Sequence, residues 1–252
     1  IRLVAILTEF RTFLESTVFA APLEAVLALD APDALRAFAE GAGRAGDFGA
    51  FLRLAFDLGL DRLGRIALPM MSMGAYGGAE GPLFAAGVLN PGEAAPRFPD
   101  PAAMREDVSH AWMAGVETDP ARADTIPEAL KDGAYSWAKA PRLDGSPVEV
   151  GALARQAVAG QPLILGLLRQ AGGSTVLARI VARFIEMATL VDVALGWVKV
   201  LQPREPFCET GPSGFPDGMS VGAVEAARGA LLHWLSVRQG RIERYQIVAP
   251  TT

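Results

Sequence analysis

Residues 221–252 read VGAVEAARGALLHWLSVRQGRIERYQIVAPTT, and the reading of this stretch decides the fold. Leu231, His233, Leu235 and Val237 alternate with Leu232, Trp234 and Ser236, the period of two expected of a half-buried strand. Arg238-Gln239-Gly240 follows as a short turn, in which Gly240 takes a positive φ at no steric cost. Ile242, Arg244 and Gln246 then alternate with Glu243, Tyr245 and Ile247 as the return strand. The run stops at Pro250, which has no N–H to give to a ladder. Ahead of this β-hairpin, Glu225-Ala226-Ala227-Arg228-Gly229 reads as a loop that sets an acid and a base three positions apart among residues too small to cover them.

Outward from the hairpin, composition sets the bounds. The chain has 252 residues, 51% of them hydrophobic, enough for a substantial core. A net charge of −5 with scattered Lys and Arg argues against a nucleic-acid partner. One cysteine excludes an internal disulfide framework and fits a reducing compartment, so a cytoplasmic location is expected. No secretory signal pattern is present, and no uncharged apolar run reaches the roughly 18 residues of a membrane span. The most apolar stretch, 187–201, is interrupted by Asp192 and Lys199. The chain opens at Ile1 without Met and stops at Thr252, and residues are expected beyond both ends.

In chain order, helical spacing leads. Leu3, Ile6, Leu7, Phe10, Phe13, Leu14 and Val18 form a stripe at that spacing, with Arg2, Glu9, Arg11 and Glu15 off it. Residues 23–29, 32–40 and 48–58 read as further helices, with Asp30 as an expected N-cap ahead of Pro32. Residues 66–78 read as irregular, with Met70, Met71 and Met73 filling gaps in the core. A short strand is expected over 83–88, a helix over 104–112 and a polar loop over 118–134. Residues 151–158 and 162–171 read as helices, and Ser174 as the cap of a long helix reaching residue 201, on which Arg179, Arg183 and Glu186 stand close enough to pair. Residues 201–220 read as a Pro/Gly loop holding Cys208. Arg142 and Asp144 are expected to clip a turn, Glu149 and Arg155 to be structural at a helix start, and His110 and His233 to be packed and hydrogen-bonded rather than ligands.

Several ordered blocks resemble the large subunit of [NiFe] hydrogenases. Glu225-Ala226-Ala227-Arg228-Gly229 through His233-Trp234 resembles E-x-P-R-G-x-L-x-H-W, and Val248 through Thr252 resembles the family's V-P-S/T-T. Val108-Ser109-His110-Ala111-Trp112 resembles E-x-V-x-H-S-W. Tyr135-Ser136-Trp137 through Arg155 resembles Y-S-W-x-K-A-P-R-Y-D-G-x-P-x-E-V-G-P-L-A-R. The resemblance covers residues 83–252, whereas 1–82 match only as helical pattern, and the whole is expected to be one large-subunit-like domain. It implies a mainly α fold with a small β element (α+β): a helical core and a C-terminal β-hairpin.

The resemblance also implies a site. Arg228 would hold anionic cyanide ligands by charge-assisted hydrogen bonds, or else pair with Glu225 as a loop clip. Thr251 and Thr252 would hydrogen-bond a cyanide, with Glu225 and Pro250 in the same wall. The family's two C-x-x-C pairs, whose soft thiolates hold nickel and iron, do not occur in these residues, and Ala227 replaces the motif's proline. No catalytic residue and no metal ligand is therefore assigned. On these departures the chain is most similar to the HupK/HoxV maturation proteins. That likeness implies a non-catalytic scaffold that holds an Fe(CN)2CO unit transiently, binds no cofactor stably, and works with a HypC-like small chaperone and other maturation proteins. The alternative is a fragment of a catalytic large subunit, with Ni–Fe and an iron–sulfur small subunit, that oxidises H2.

Overall fold

A computed structural model describes residues 2–77, 81–122, 124–202, 204–206, 208 and 214–251. The fold is mixed α+β, and the chain forms two compact units interleaved along the sequence: residues 1–67 with 160–209, and residues 68–159 with 210–252.

The first unit is helical. It contains α1 (Arg2–Phe13), which widens into a π-helical turn at Leu14–Val18, then α2 (Leu23–Leu27), α3 (Pro32–Glu40) and α4 (Asp47–Asp57). Its later residues, beyond an α5 described with the second unit, form α6 (Pro162–Ala171) and α7 (Val176–Val200). Phe19, Phe48 and Phe184 form its aromatic centre, with Phe48 and Phe184 4.7 Å apart and Phe19 edge-on to Phe48 at 5.6 Å. Leu23, Leu35, Leu52, Leu163 and Val181 close around it, all fully buried. The stripe read on α1 is buried only at its end: Leu14 and Val18 are inside, while Leu3, Ile6, Phe10 and Phe13 are exposed.

Two caps differ from expectation. α3 is preceded by Ala31, with no side-chain cap, because Pro32 at the first position leaves one N–H fewer to satisfy. Thr175, not Ser174, caps α7 by accepting from the Ala178 N–H at 3.2 Å. Ser174 Oγ donates instead to the Ile66 carbonyl.

The second unit carries the strands. β1 (Met70–Ala75) and β2 (Phe84–Leu89) form an antiparallel ribbon in which Met70 faces Leu89. Residues 70–75 of the segment expected to be irregular thus form a strand, and their Ser-Met-Gly-Ala sequence lacks the β-branched alternation that would have marked it. β2 lies where expected. The expected helix over 104–112 is also absent: Met104–Asp107 is β3, the middle strand between β4 (Glu117–Thr118) and β5 (Ala140–Leu143). Cross-strand partners outweigh local propensity here, and Pro141 is tolerated because β5 is an edge. All seven residues of α5 (Ala152–Val158) are buried. It packs over β1 and β2, so closely that a Cβ on Gly87 would stand 2.9 Å from Val158.

The predicted hairpin is β7 (Gly229–Arg238) and β8 (Arg241–Val248), joined by Gln239 and Gly240, both at positive φ. The small-residue stretch ahead of it is not a loop. Gly218–Ala226 is a third strand, β6, paired with β7 from Gly218↔Val237 to Ala226↔Gly229. Ala230, Leu232 and Trp234 of β7 turn inward to meet Val248, Met71, Val88, Met104 and Leu143 in the core of this unit. Met70 and Met71 are buried and Met73 packs against the same core, as the gap-filling reading expects.

Candidate functional site: a turn held by a buried ion pair

The β6–β7 connection is a two-residue turn, Ala227-Arg228, between the paired residues Ala226 and Gly229. Its geometry is set from behind. Arg155, on α5, reaches the strand end with Nη1 donating to Glu225 Oε2 at 2.6 Å and to the Ala226 carbonyl at 3.0 Å. Its Nη2 donates to the Ala227 carbonyl at 3.0 Å. The other Glu225 oxygen accepts from the Met73 N–H of β1 at 2.8 Å. Both charged side chains are almost wholly inaccessible, 2% and 1% exposed. Burying such a pair is tolerable only when its lone pairs and protons are used, and here three successive residues before Arg228 are gripped by one guanidinium.

Two glycines let the backbones close on each other. Gly151, the N-cap of α5, has φ +100, and a Cβ there would stand 2.8 Å from the Arg228 carbonyl oxygen. Gly229 has φ +140, and a Cβ would meet Val150 Cγ2 at 2.5 Å and the Gly151 nitrogen at 2.8 Å. Any side chain at either position would push the turn off α5.

This arrangement rules out the alternative in which Arg228 clips Glu225, because the carboxylate is bound to Arg155. Arg228 is exposed, and among the described residues its guanidinium makes no ion pair or hydrogen bond. Pro250 is half-buried and Thr251 exposed in the segment that leaves β8. Since Val248 faces Leu232, that segment runs toward the end of the sheet that carries the Ala227-Arg228 turn. Thr252 lies outside the described residues.

The other residues singled out from sequence hold structure. Asp144 binds Arg97 at 2.6 Å and Arg142 binds Asp107 at 3.3 Å, so the expected Arg142–Asp144 clip is not formed. Ser109 donates to Asp107 from both its hydroxyl and its backbone N–H, and these bonds, with Arg142 and His110 nearby, hold the Asp107 carboxyl below its usual range. The motifs at 108–112 and 135–137 meet: the Trp112 N–H donates to the Ser136 carbonyl, the Tyr135 N–H to the His110 carbonyl, and His110 stacks on Tyr135. His233 is half-buried rather than in the core; it stacks on Tyr245 and shares a hydrogen bond with it at 2.5 Å. Buried Glu106 is met by Lys139 at 2.5 Å and by the Gln246 amide at 3.0 Å.

Sequence reasoning missed the role of Arg155. Its signal was available: the final Arg of the Y-S-W to L-A-R block and the Glu that opens E-x-x-R-G are opposite charges on residues of types seldom buried unless paired. The described residues offer no ligand set for nickel. Among them no three His, Cys, Asp or Glu side chains cluster as a metal site, and Cys208 is exposed. Among them, too, no helix is long and apolar enough to cross a membrane.

Comparison with known proteins brings these features into one family. The family model for nickel-dependent hydrogenase matches residues 64–252, a range that begins ahead of the first recognisable motif. The periplasmic [NiFeSe] hydrogenase large subunit of Desulfomicrobium baculatum is 38% identical over 148 residues, covering 51% of this chain and 28% of that protein. The uptake hydrogenase large subunit of Rhodobacter capsulatus is 30% identical over 194 residues, 61% of this chain and 32% of its own length. The chain thus spans about a third or less of these curated relatives. The Ni-Fe-Se hydrogenase of D. vulgaris Hildenborough in the reduced state superposes with a TM-score of 0.65 at 25% identity, covering 88% of this chain and 51% of that one.

Proposed function

Since the chain belongs to the nickel-dependent hydrogenase family, we propose that it is part of a hydrogenase large subunit that oxidises H2, and that the Ala227-Arg228 turn lines the wall facing the metal centre. The observation that carries this reading is the bare guanidinium of Arg228 at the tip of a turn fixed by the Arg155–Glu225 pair. A side chain held that way meets an anion without first breaking an ion pair of its own. Its fork of donors suits cyanide or another small anion bound to iron. Thr251 would add a hydroxyl donor at the same end of the sheet. The nickel–iron group supplies the H2 chemistry. Its thiolate ligands have no counterpart among the described residues, so the role assigned to this chain is confined to orienting and electrostatic holding. An iron–sulfur small subunit would be the partner that takes the electrons.

A second reading rests on one observation, Ala227 in place of the motif's proline. It is a maturation scaffold of the HupK/HoxV kind, holding an Fe(CN)2CO unit beside a HypC-like chaperone.

The experiment is metal analysis and H2 uptake on the purified full-length protein, with an infrared scan of the cyanide and carbonyl stretches, repeated for Arg228→Ala. Nickel with H2 uptake that falls about 100-fold in the variant, and cyanide bands that shift, is the result expected. Uptake and bands unchanged by the substitution would overturn the role given to Arg228. Nickel-free protein whose Arg228→Ala form lowers the activity of a separate hydrogenase in cells would establish the scaffold instead.

A further inference from the structure

Within the helical unit, α3, the end of α4, the turns at 58–64 and the facing ends of α6 and α7 enclose a cleft of about 530 Å³. Three arginines line it, Arg36, Arg62 and Arg65, against the single carboxylate of Asp61. In a chain of net charge −5 this is a local reversal of sign, and a concave wall concentrates such a field. The three guanidiniums are not alike. Arg36 is committed to the fold: it lies 3.8 Å over the Phe56 ring and 3.6 Å from Asp61. Arg62 touches Asp61 only at 3.9 Å with its side chain 86% exposed. Arg65 is exposed and, among the described residues, makes no ion pair or hydrogen bond. One arginine is therefore a fixed wall and two are available donors.

The rest of the lining includes the Phe56 ring, which Arg36 covers on one face, with Pro32, Ala171 and the nearly buried Leu167 and Leu177. The start of α7, which also borders the cleft, adds no free donors. The Val176 and Leu177 N–H groups already bind the Leu63 and Leu60 carbonyls, and the Ala178 N–H binds Thr175 Oγ1. The positive charge that would favour an anion therefore comes from the arginine side chains.

We propose that this cleft binds a small organic oxyanion, a phosphate or carboxylate group carried on a compact apolar body. The forked donors of Arg62 and Arg65 take the oxyanion, and the body lies against the apolar part of the lining, at Pro32, Phe56 and Ala171. The cleft lies wholly within the helical unit and shares no residue with those given a role at the Ala227-Arg228 turn, so its failure leaves the proposed function untouched.

Calorimetric titration of the purified full-length protein with phenyl phosphate, inorganic phosphate, benzoate and phenol tests this. Saturable one-to-one binding of phenyl phosphate is expected, about tenfold tighter than inorganic phosphate because of the buried ring. Each of Arg62→Gln and Arg65→Gln should weaken it about tenfold or more, the usual cost of one charge-assisted hydrogen bond. Both positions are exposed, so the variants should keep the parent's helical circular dichroism. Benzoate binding as tightly as phenyl phosphate would assign the site to carboxylates, and weaker benzoate binding to phosphates; either agrees with the proposal. No saturable signal at millimolar ligand, phenol binding as well as the anions, or an affinity unchanged in both variants would overturn it.

Discussion

The two units of this protein solve the burial problem in opposite ways. In the helical unit the centre is aromatic and aliphatic, Phe19, Phe48 and Phe184 among leucines. The ion pairs of Arg11 with Glu15, Glu24 and Asp192 stay at the surface, and Glu186 is its one buried charged residue among those described. The strand-bearing unit instead buries whole pairs, Arg155 with Glu225 and Lys139 with Glu106. An apolar core tolerates small displacements, since dispersion contacts are many and individually weak. A buried charge pair does not, because each group needs its partner in one geometry. The unit that carries the Ala227-Arg228 turn is the one that accepts the cost of buried charge.

Removing one member of the buried pair should break this contrast most severely. Arg155→Met leaves Glu225 buried without its cation and should destabilise the protein by about 3–5 kcal/mol. The sign with pH is diagnostic. The orphaned carboxylate is relieved by taking up a proton, so its folded-state pKa rises above the unfolded value and the penalty shrinks as pH falls. Denaturant titrations of variant and parent at neutral and mildly acidic pH measure it. A penalty that does not change with pH would mean that Glu225 is not charged in the folded protein. Adding Glu225→Gln to Arg155→Met should recover part of the loss, a coupling that a double-mutant cycle reads directly.

The matching probe of the helical unit is smaller and flat with pH. Phe48→Leu removes part of a ring from a fully buried site and should cost about 1–2 kcal/mol. Phe19, Phe48 and Phe184 carry no titrating group, so the same titrations should give the same loss at both pH values. A pH-dependent loss would mean that buried Glu186 is coupled to the aromatic centre and that the two units are less different than they look.

The same contrast explains what the sequence could tell. Helices α3, α4 and α6 of the first unit were legible because their apolar periodicity is the cause of their burial: the span 162–171 and the break at Gly172 follow from it directly, and Gly172 indeed sits in the left-handed region. The β7–β8 hairpin was legible for the same reason, through alternation and the Gln239-Gly240 turn. β1 and β6 were not. Met-Met-Ser-Met-Gly-Ala and Gly-Met-Ser-Val-Gly-Ala-Val-Glu-Ala carry no clear strand propensity, and they become strands because β2 and β7 offer ladders to them. At the candidate site the motif located Glu225, Arg228, Pro250 and Thr251 along the chain. Proximity in sequence paired the wrong charges, since the partner of Glu225 stands 70 residues away on α5. Period-based reading has no access to such a contact.

The smallest effect expected belongs to a charge that neither unit buries. Asp107 is 36% exposed, yet its carboxyl is held below the usual range, first by the Ser109 hydroxyl, then by the Ser109 N–H, with Arg142 and His110 adding to this. A lowered folded-state pKa contributes stability that is present above the unfolded value, near 3.9 for Asp, and is lost as pH falls through the folded value. Asp107→Asn should therefore lower the melting temperature slightly at neutral pH, by about 1 °C given solvent screening of a half-open pair. The difference should vanish toward strongly acidic pH, where the parent's carboxyl is protonated too. Arg142→Gln at the same turn removes only one of the lesser contributors, so it should show a still smaller change with the same pH profile. If Arg142→Gln proves the more damaging of the two, the ion pair rather than the Ser109 bonds carries that turn, and exposed pairs in this unit would be doing the work that the geometry assigns to buried ones.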